Sequence, residues 1–290
     1  MASLTLTRTS APVFDLSNVE FHYANGVGAL SGIDLTIEAG ESVAIMGANG
    51  CGKSTLLKLL DGLVQVEIGS AKAFGEELSP ANFNNDLFAR NYRRQVGFVF
   101  QNADAQLFCS TVRDDIAFGP LRMGLTAAEV DQRVADSAAM LGITHLLDRT
   151  PYELSGGEKR RAAIASTLSI NPSVILLDEP TTGLDPRTRS QLAEILRTLH
   201  SAGKTLVIAT HDLEFAPQVA DRAVILGEDH RIAASLPISE ALQDIDLLHR
   251  VNLVHTHGHF HGNQYHVHPH SHDGQHEHAH ELDSRVNHPQ

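Results

Sequence analysis

Gly47-Ala48-Asn49-Gly50-Cys51-Gly52-Lys53-Ser54-Thr55 follows the apolar run Ser42-Val43-Ala44-Ile45-Met46 directly and opens into Leu56-Leu57-Lys58-Leu59-Leu60. A glycine-rich turn between a buried strand and a helix is the context that makes such a cluster a phosphate-binding P-loop. The glycines let successive backbone N–H groups turn inward around phosphate oxygens, and the helix adds its positive N-terminal end. Lys53 is placed to reach the β and γ phosphates, and the Ser54 hydroxyl to complete a magnesium shell. The stretch therefore predicts an α/β fold built around a nucleoside triphosphate.

Working outward, the remaining core strands are read from uninterrupted apolar runs, which suit parallel strands covered on both faces. These are Val96-Gly97-Phe98-Val99-Phe100, Val174-Ile175-Leu176-Leu177 and Thr205-Leu206-Val207-Ile208-Ala209. Partial alternation over Val13 to Tyr23 and Leu30 to Ile37 predicts strands with one wet face. Residues Gly75 to Arg90 are polar and turn-rich and are expected to be a surface excursion. From Thr126 to Ile170 the pattern turns helical, with Val130, Val134 and Leu141 on one face and a break near Pro151. This predicts a helical subdomain, about residues 111–170, inserted into the core. A helix is expected from about Thr188 to His200, and short strands alternating with a helix to about Arg250.

At the end of the strand ending in Leu177 stands Asp178-Glu179-Pro180. A carboxylate just beyond a buried parallel strand faces the ligand crevice, so Asp178 can hold magnesium and Glu179 can polarise the attacking water. In isolation the tripeptide would read as an acidic turn; the complete P-loop favours the metal and base reading. In Leu154-Ser155-Gly156-Gly157-Glu158, Ser155 can serve as an N-cap with Glu158 reaching back to it, a capping box. Its two glycines also bare N–H groups at a helix N-terminus, a surface for a phosphate. Since the chain already has a P-loop, this second phosphate-reading end makes most sense over a nucleotide held by another subunit, which implies a dimer.

Taken together, these segments resemble the ATP-binding subunit of an ABC transporter, over about residues 13–235. The resemblance equates Gly47 to Thr55 with the Walker A loop, Val99-Phe100-Gln101-Asn102 with the glutamine loop and Leu154 to Glu158 with the signature. Val174 to Asp178 corresponds to the Walker B strand with catalytic Glu179, Gly183-Leu184-Asp185-Pro186 to the D-loop, and Ala209-Thr210-His211-Asp212 to the switch containing His211. It implies a P-loop NTPase (RecA-like) core with an antiparallel β subdomain, ATP and Mg2+ as ligands, and hydrolysis. Tyr23 is implied to stack on adenine, Gln101 to help bind magnesium, and Asp185 to cross to the opposite subunit together with Ser155, Gly156, Gly157 and Glu158. The commonest signature ends in glutamine where Glu158 stands. Cys51 lies inside the loop without an assigned catalytic role, although its oxidation is expected to block nucleotide entry.

Gln101 to Phe108, with Thr111-Val112 and Asp115 to Pro120, further resembles the energy-coupling-factor branch, in particular cobalt and nickel uptake ATPases. That implies an energy-coupling transmembrane protein and a substrate-binding membrane component as partners. Beyond residue 250 comes a tail with 12 histidines between His255 and His288. His255, His257, His259, His261, His266, His268, His270, His272, His276, His278 and His280, with Asp273, Glu277 and Glu281 nearby, offer nitrogen-rich ligands for nickel, cobalt, copper or zinc. The composition predicts a disordered metal-binding tail over 251–290.

The last 40 residues carry -3 of a formal charge of -13, leaving -10 on the rest, so no broad positive field invites nucleic acid. Cys51 and Cys109 alone make neither a disulfide framework nor a four-cysteine site. The start, to Ala11, does not read as a signal peptide, and no run reaches membrane-spanning length. A peripheral position on the cytoplasmic side of the membrane is expected. An importer of biotin or another vitamin, and a soluble ABC ATPase of repair or translation, are the competing readings; the histidine tail opposes the first, and the lack of coiled coils or tandem domains the second.

Overall fold

A computed structural model describes residues 12–261 and 264–271, with side-chain environments described as far as Val254. The chain begins with strands β1 (Phe14–His22) and β2 (Gly28–Ile37), which pair antiparallel. Strand β3 (Ser42–Met46) then feeds helix α1 (Lys53–Leu60). Strands β4 (Ile68–Ala73) and β5 (Glu76–Glu77) complete an antiparallel sheet in the order β2-β1-β4-β5. Alternation on β1 buries Phe14 and Leu16 while Ser17 and Asn18 face water, as a one-sided sheet requires.

The region expected as a plain excursion contains two short helices, α2 (Pro80–Phe83) and α3 (Asp86–Gln95). Their starts are chemically specified. The Ser79 hydroxyl accepts from the Asn82 N–H with Pro80 at the first helical position, and the Asn85 side chain accepts from the N–H groups of Leu87 and Phe88. Polar composition hid these helices because most of their surface is wet; Leu87 is 69% exposed.

Strand β6 (Val96–Val99) returns the chain to the main sheet, and α4 (Val112–Arg122), α5 (Ala127–Met140) and α6 (Gly156–Leu168) form the helical insertion. Val130, Val134 and Leu141 are buried together as their spacing predicted, and Pro151 opens the second of two 3-10 turns between α5 and α6. Strand β7 (Val174–Asp178), helix α7 (Pro186–Ser201), strand β8 (Thr205–Ala209), helix α8 (Ala216–Val219) and strands β9 (Arg222–Leu226) and β10 (Ile232–Pro237) follow. The second sheet runs β10-β9-β3-β8-β7-β6, parallel except for β10.

Every residue of β3, β7 and β8 is buried, and their side chains alternate between two cores. Ile175, Leu177, Leu206 and Ile208 pack with the helical insertion and α7. Val174, Leu176, Val207 and Ala209 pack with α1 and the antiparallel sheet. The P-loop strand is thus clamped centrally, and the ends of β3, β7 and β8 are rigid supports for whatever stands beyond them.

Helices α9 (Ile238–Gln243) and α10 (Ile245–Arg250) close the chain against the other face of β3 and β9. Two expectations for the C-terminal region change here. The core does not stop at residue 250: Val251, Leu253 and Val254 are 1%, 2% and 7% exposed and pack with Leu247 and Leu248. Burial of these apolar side chains carries the folded unit through residue 254. The tail expected to be disordered also contains an antiparallel hairpin, β11 (Val254–His261) with β12 (Gln264–Ser271). Its histidines recur every second residue, a period that matches a strand, and composition alone overlooks that.

Candidate functional site

The loop between β3 and α1 is shaped by two positions where only glycine fits. Gly47 has φ 150° and a Cβ there would lie 2.5 Å from the Leu226 carbonyl oxygen; at Gly52, φ 111°, it would lie 2.3 Å from the Ala29 carbonyl oxygen. The loop therefore curls tightly between β9 and β2, with Gly52 as the N-cap of α1. Lys53 is only 5% exposed and its Nζ donates to the carbonyls of Gly47 (2.8 Å) and Ala48 (3.1 Å). The ammonium thus lies across the mouth of the loop.

Next to it, Ser54 Oγ donates to Asp178 Oδ1 at 2.8 Å, joining the start of α1 to the end of β7. Burial pushes the Asp178 carboxyl above its ordinary range, opposed by the Ser54 hydrogen bond. Glu179, one residue on, is 4% exposed and has φ 45°, a left-handed conformation uncommon for a residue with a side chain. Its N–H donates to the Ala209 carbonyl at 2.9 Å, which anchors the turn on the end of β8. Oε1 lies 2.9 Å from His211 Nδ1 and 3.5 Å from Lys53 Nζ. Among the described residues Oε2 is buried with no hydrogen-bond partner. A buried acceptor left open is costly unless a ligand or water supplies the donor, so the site is shaped to receive one.

Tyr23 and the glutamine loop complete the arrangement. The Tyr23 hydroxyl is 2.8 Å from Thr55 Oγ1, its ring meets Phe21 edge-on at 5.1 Å, and it is 39% exposed. A cleft of about 470 Å3 is lined by Tyr23, Asn49 to Thr55 except Cys51, Gln101, Glu179, Val27 to Ala29 at the start of β2, and His230. Cys51 is 2% exposed, and burial raises its thiol pKa, with Lys53 opposing. Low thiolate content and no access make it inert, so the expectation that its oxidation blocks the loop is withdrawn.

Ser155, Gly156, Gly157, Glu158 and Asp185 do not line this cleft. They cap other helices. Ser155 Oγ accepts from the Glu158 N–H at 3.4 Å, while Glu158 Oε2 accepts from the Ser155 N–H and hydroxyl, both at 2.8 Å. These bonds, the backbone one foremost, hold the Glu158 carboxyl below its ordinary range. Asp185 caps α7 by accepting from Thr188, whose hydroxyl and N–H lower its carboxyl pKa in turn. A Cβ at Gly156 would meet nothing within 4 Å, so the bare start of α6 is open to a phosphate from outside the chain.

A match to the family model described as ABC transporter covers residues 30–182. The chain belongs to the ABC transporter ATP-binding family. This ABC ATPase is 46% identical to a protein of Methanosarcina acetivorans called a putative ABC transporter ATP-binding protein, over 85% of the chain and 91% of that protein. It is also 46% identical to the nickel import ATP-binding protein NikO of Rhodobacter capsulatus, over 84% of the chain and 96% of the relative. Among solved structures it resembles cbiO1 of Clostridium perfringens, described as part of the ABC transporter complex cbiONQ, with TM-score 0.71 and 33% identity over 83% of this chain and 95% of that one. A dimeric ATP-binding cassette, MJ0796 bound to ADP and Pi, matches with TM-score 0.72 and 28% identity over 78% and 98%. The chain is an ATP-binding and hydrolysing subunit of an ABC transporter.

Three residues of the ABC ATPase escaped the sequence reading. His230 lines the cleft from the β9–β10 turn, with Nδ1 3.2 Å from the Cys51 carbonyl oxygen. Gln106 accepts from the Phe100 N–H and donates to the Ala163 carbonyl and Thr167 hydroxyl. Arg160 is 4% exposed although it sits in Lys159-Arg160-Arg161, a run that reads as a solvated helix face. Only the third had a signal in the sequence: a helix as apolar as Ala162 to Ile164 must bury one face, and Arg160 shares it with Ile164.

Among the described residues no group of three or more His, Cys, Asp or Glu side chains is arranged to hold a metal ion, and no helix is long and apolar enough to cross a membrane. The side chains of the tail candidates, from His255 to His280, lie outside the described residues.

Proposed function

We propose that this ABC ATPase, working as a dimer on the cytoplasmic side of a membrane, drives import of a divalent transition metal, nickel or cobalt, through partner membrane proteins. The observation that carries the hydrolytic part is Glu179: a buried carboxylate held by His211, 3.5 Å from Lys53, with one oxygen open. Two subunits enclose ATP between the P-loop of one and Ser155-Gly156-Gly157 of the other, with Asp185 contributing across the interface. Tyr23 stacks on the adenine after releasing Thr55. Lys53 exchanges its loop carbonyls for β- and γ-phosphate oxygens.

The oxygen donors of Ser54, Asp178 and Gln101 suit a hard cation and would hold Mg2+, which would supply neutralisation of phosphate charge. Glu179 orients water through its open oxygen and takes up its proton as the water oxygen bonds to the γ-phosphorus. The bond from that phosphorus to the bridging oxygen breaks, and ADP leaves. His211 keeps the carboxylate aimed during this step.

For cargo, support comes from the NikO relative and from the tail. In the hairpin register His255 stands opposite His270, His257 opposite His268 and His259 opposite His266, so one face of the backbone ladder carries three cross-strand histidine pairs. Imidazole suits Ni2+, Co2+ or Zn2+, so the alternating histidines of the two paired strands supply the ligand chemistry such a cargo needs. The tail acts as a local metal store beside the transporter. For the membrane partner, an edge-to-face pair of Phe108 and Phe118, 66% and 43% exposed with Arg122 over the second ring, provides an apolar docking patch beside the glutamine loop. A relative named energy-coupling factor transporter ATP-binding protein EcfA, 42% identical over 83% of this chain and 76% of its own length, keeps another cargo of that transporter type as the second reading.

The test is ATP-dependent uptake of labelled nickel and cobalt by the chain coexpressed with its membrane partners, with Glu179→Gln as the inactive control. Uptake of one metal that the control abolishes is expected. Uptake of neither by an assembled, ATP-hydrolysing complex would move the cargo to a vitamin.

A further inference from the structure

The guanidinium of Arg160 is buried one turn into α6, immediately behind the capped end that carries Ser155, Gly156 and Gly157. It has no carboxylate ion pair among the described residues; instead it donates to three backbone carbonyls. Nη1 donates to Phe100 O at 2.6 Å, and Nη2 to Gln101 O at 2.5 Å and to Glu179 O at 3.4 Å. Burial lowers its pKa, and the charges of Asp178 and Glu179 oppose that shift. A dry guanidinium is expensive to hold, which makes its three acceptors a specific arrangement rather than incidental packing.

Those acceptors belong to two segments that have to move or stay aligned in hydrolysis. Phe100 and Gln101 form the glutamine loop, and α6 grips this loop elsewhere too: Thr167 Oγ1 donates to Phe98 O, Gln106 donates to Ala163 O, and Lys159 Nζ to Asp104 Oδ1. Glu179 is the other segment. Its left-handed peptide is held on the N–H side by Ala209 O, and on the carbonyl side by Arg160 and by the Thr182 N–H at 3.3 Å. Among the hydrogen bonds of the described residues, the one from Arg160 links this strained peptide to the helical insertion.

We propose that Arg160 is a positioning residue that aligns the catalytic glutamate with the signature helix, so that docking of α6 on the opposite nucleotide and displacement of the glutamine loop are both felt at Glu179. The arginine does not line the nucleotide cleft; it acts through the Glu179 peptide. A planar fork can hold the three carbonyls together, whereas a lysine ammonium on a flexible stem cannot span them. The proposal rests on Glu179 as the group that polarises water.

Steady-state hydrolysis by the assembled transporter would be compared for Arg160→Lys, Arg160→Met, Glu179→Gln and the Arg160→Lys/Glu179→Gln double variant. We expect Arg160→Lys to lower kcat by about tenfold or more while KM for ATP and thermal stability stay close to the parent, the pattern of lost transition-state alignment. Arg160→Met should be slower still, so that lysine counts as partial rescue; should the methionine variant fail to fold, the lysine variant alone carries the comparison. In the Glu179→Gln background the lysine substitution should add nothing further to the loss, because residues that act as one unit are not additive. An unchanged kcat, a raised KM with kcat intact, or full additivity in the double variant would overturn the proposal. Full turnover in Glu179→Gln alone would instead remove the base assignment on which it stands, an outcome distinct from these three.

Discussion

At the scale of single residues, the cleft holds its charges in a resting arrangement that ATP must rearrange. Lys53 is satisfied by Gly47 O and Ala48 O and lies near Glu179, so its contribution to binding is the difference between those partners and phosphate oxygens. Lys53→Ala is expected to weaken nucleotide affinity by tenfold or more, about 1.4 kcal/mol, in a titration with a fluorescent ATP analogue. Unchanged affinity would mean that the loop amides alone bind the phosphates. Glu179→Gln keeps the side-chain shape and the His211 contact but removes the proton acceptor. Turnover is expected to fall about a hundredfold or more while ATP still binds and a closed dimer accumulates, measured by size-exclusion chromatography with ATP. Rapid turnover in this variant would reassign the base. Lys53, Asp178 and Glu179 were legible in the sequence because each stands at a fixed offset from an apolar strand end, whereas His211 was singled out only by the family resemblance. Gln106 and His230 were not, because their work is done on backbone carbonyls and amides that no side-chain pattern records, and the face Arg160 shares with Ile164 marks it for burial without naming those partners.

Elements show the same division between what a pattern encodes and what it omits. The strands β3, β7 and β8 announce themselves by unbroken burial, and α6 by the capping box at its start. Helices α2 and α3 were missed because their caps are local hydrogen bonds inside a polar stretch. In the capping box, Glu158 stands where glutamine is commonest in the family, and the geometry explains why the exchange is tolerated: a single oxygen, Oε2, accepts both bonds from Ser155. Glu158→Gln should therefore preserve α6 and hydrolysis, whereas Glu158→Ala should destabilise the protein by about 1 kcal/mol, seen as a lower melting temperature. The two differ in pH response as well. Since the folded-state carboxyl of Glu158 sits below its ordinary value, its stabilisation is complete above the unfolded pKa and is lost as pH falls through the folded one. The parent should lose this increment in acid and Glu158→Gln should not, a difference that melting curves at neutral and acidic pH would register.

For the whole molecule, the question is where the ATPase ends and the histidine-rich segment begins. Charge and composition change at about residue 251, yet core packing runs on at least to residue 254, because Val251, Leu253 and Val254 pack beneath α9 and α10. Composition marks where the polar tail starts to dominate a window; burial marks where the last apolar side chain finds a partner, and the two need not coincide. The alternation of histidines was visible in the sequence, but its pairing across β11 and β12 was not, since register is a property of two strands rather than one. Two truncations separate these boundaries. Residues 1–254 should fold with the parent's melting temperature and hydrolyse ATP within about twofold of it, because they hold every core cluster of the described residues. Residues 1–250 should be less stable by several kcal/mol, at about 1.5–3 kcal/mol for each buried aliphatic side chain lost. Calorimetry and ATPase assays on both would decide. Equal stability of the two would remove Val251 to Val254 from the core, while loss of hydrolysis by a folded 1–254 would make the histidine hairpin part of the enzyme rather than a metal store attached to it.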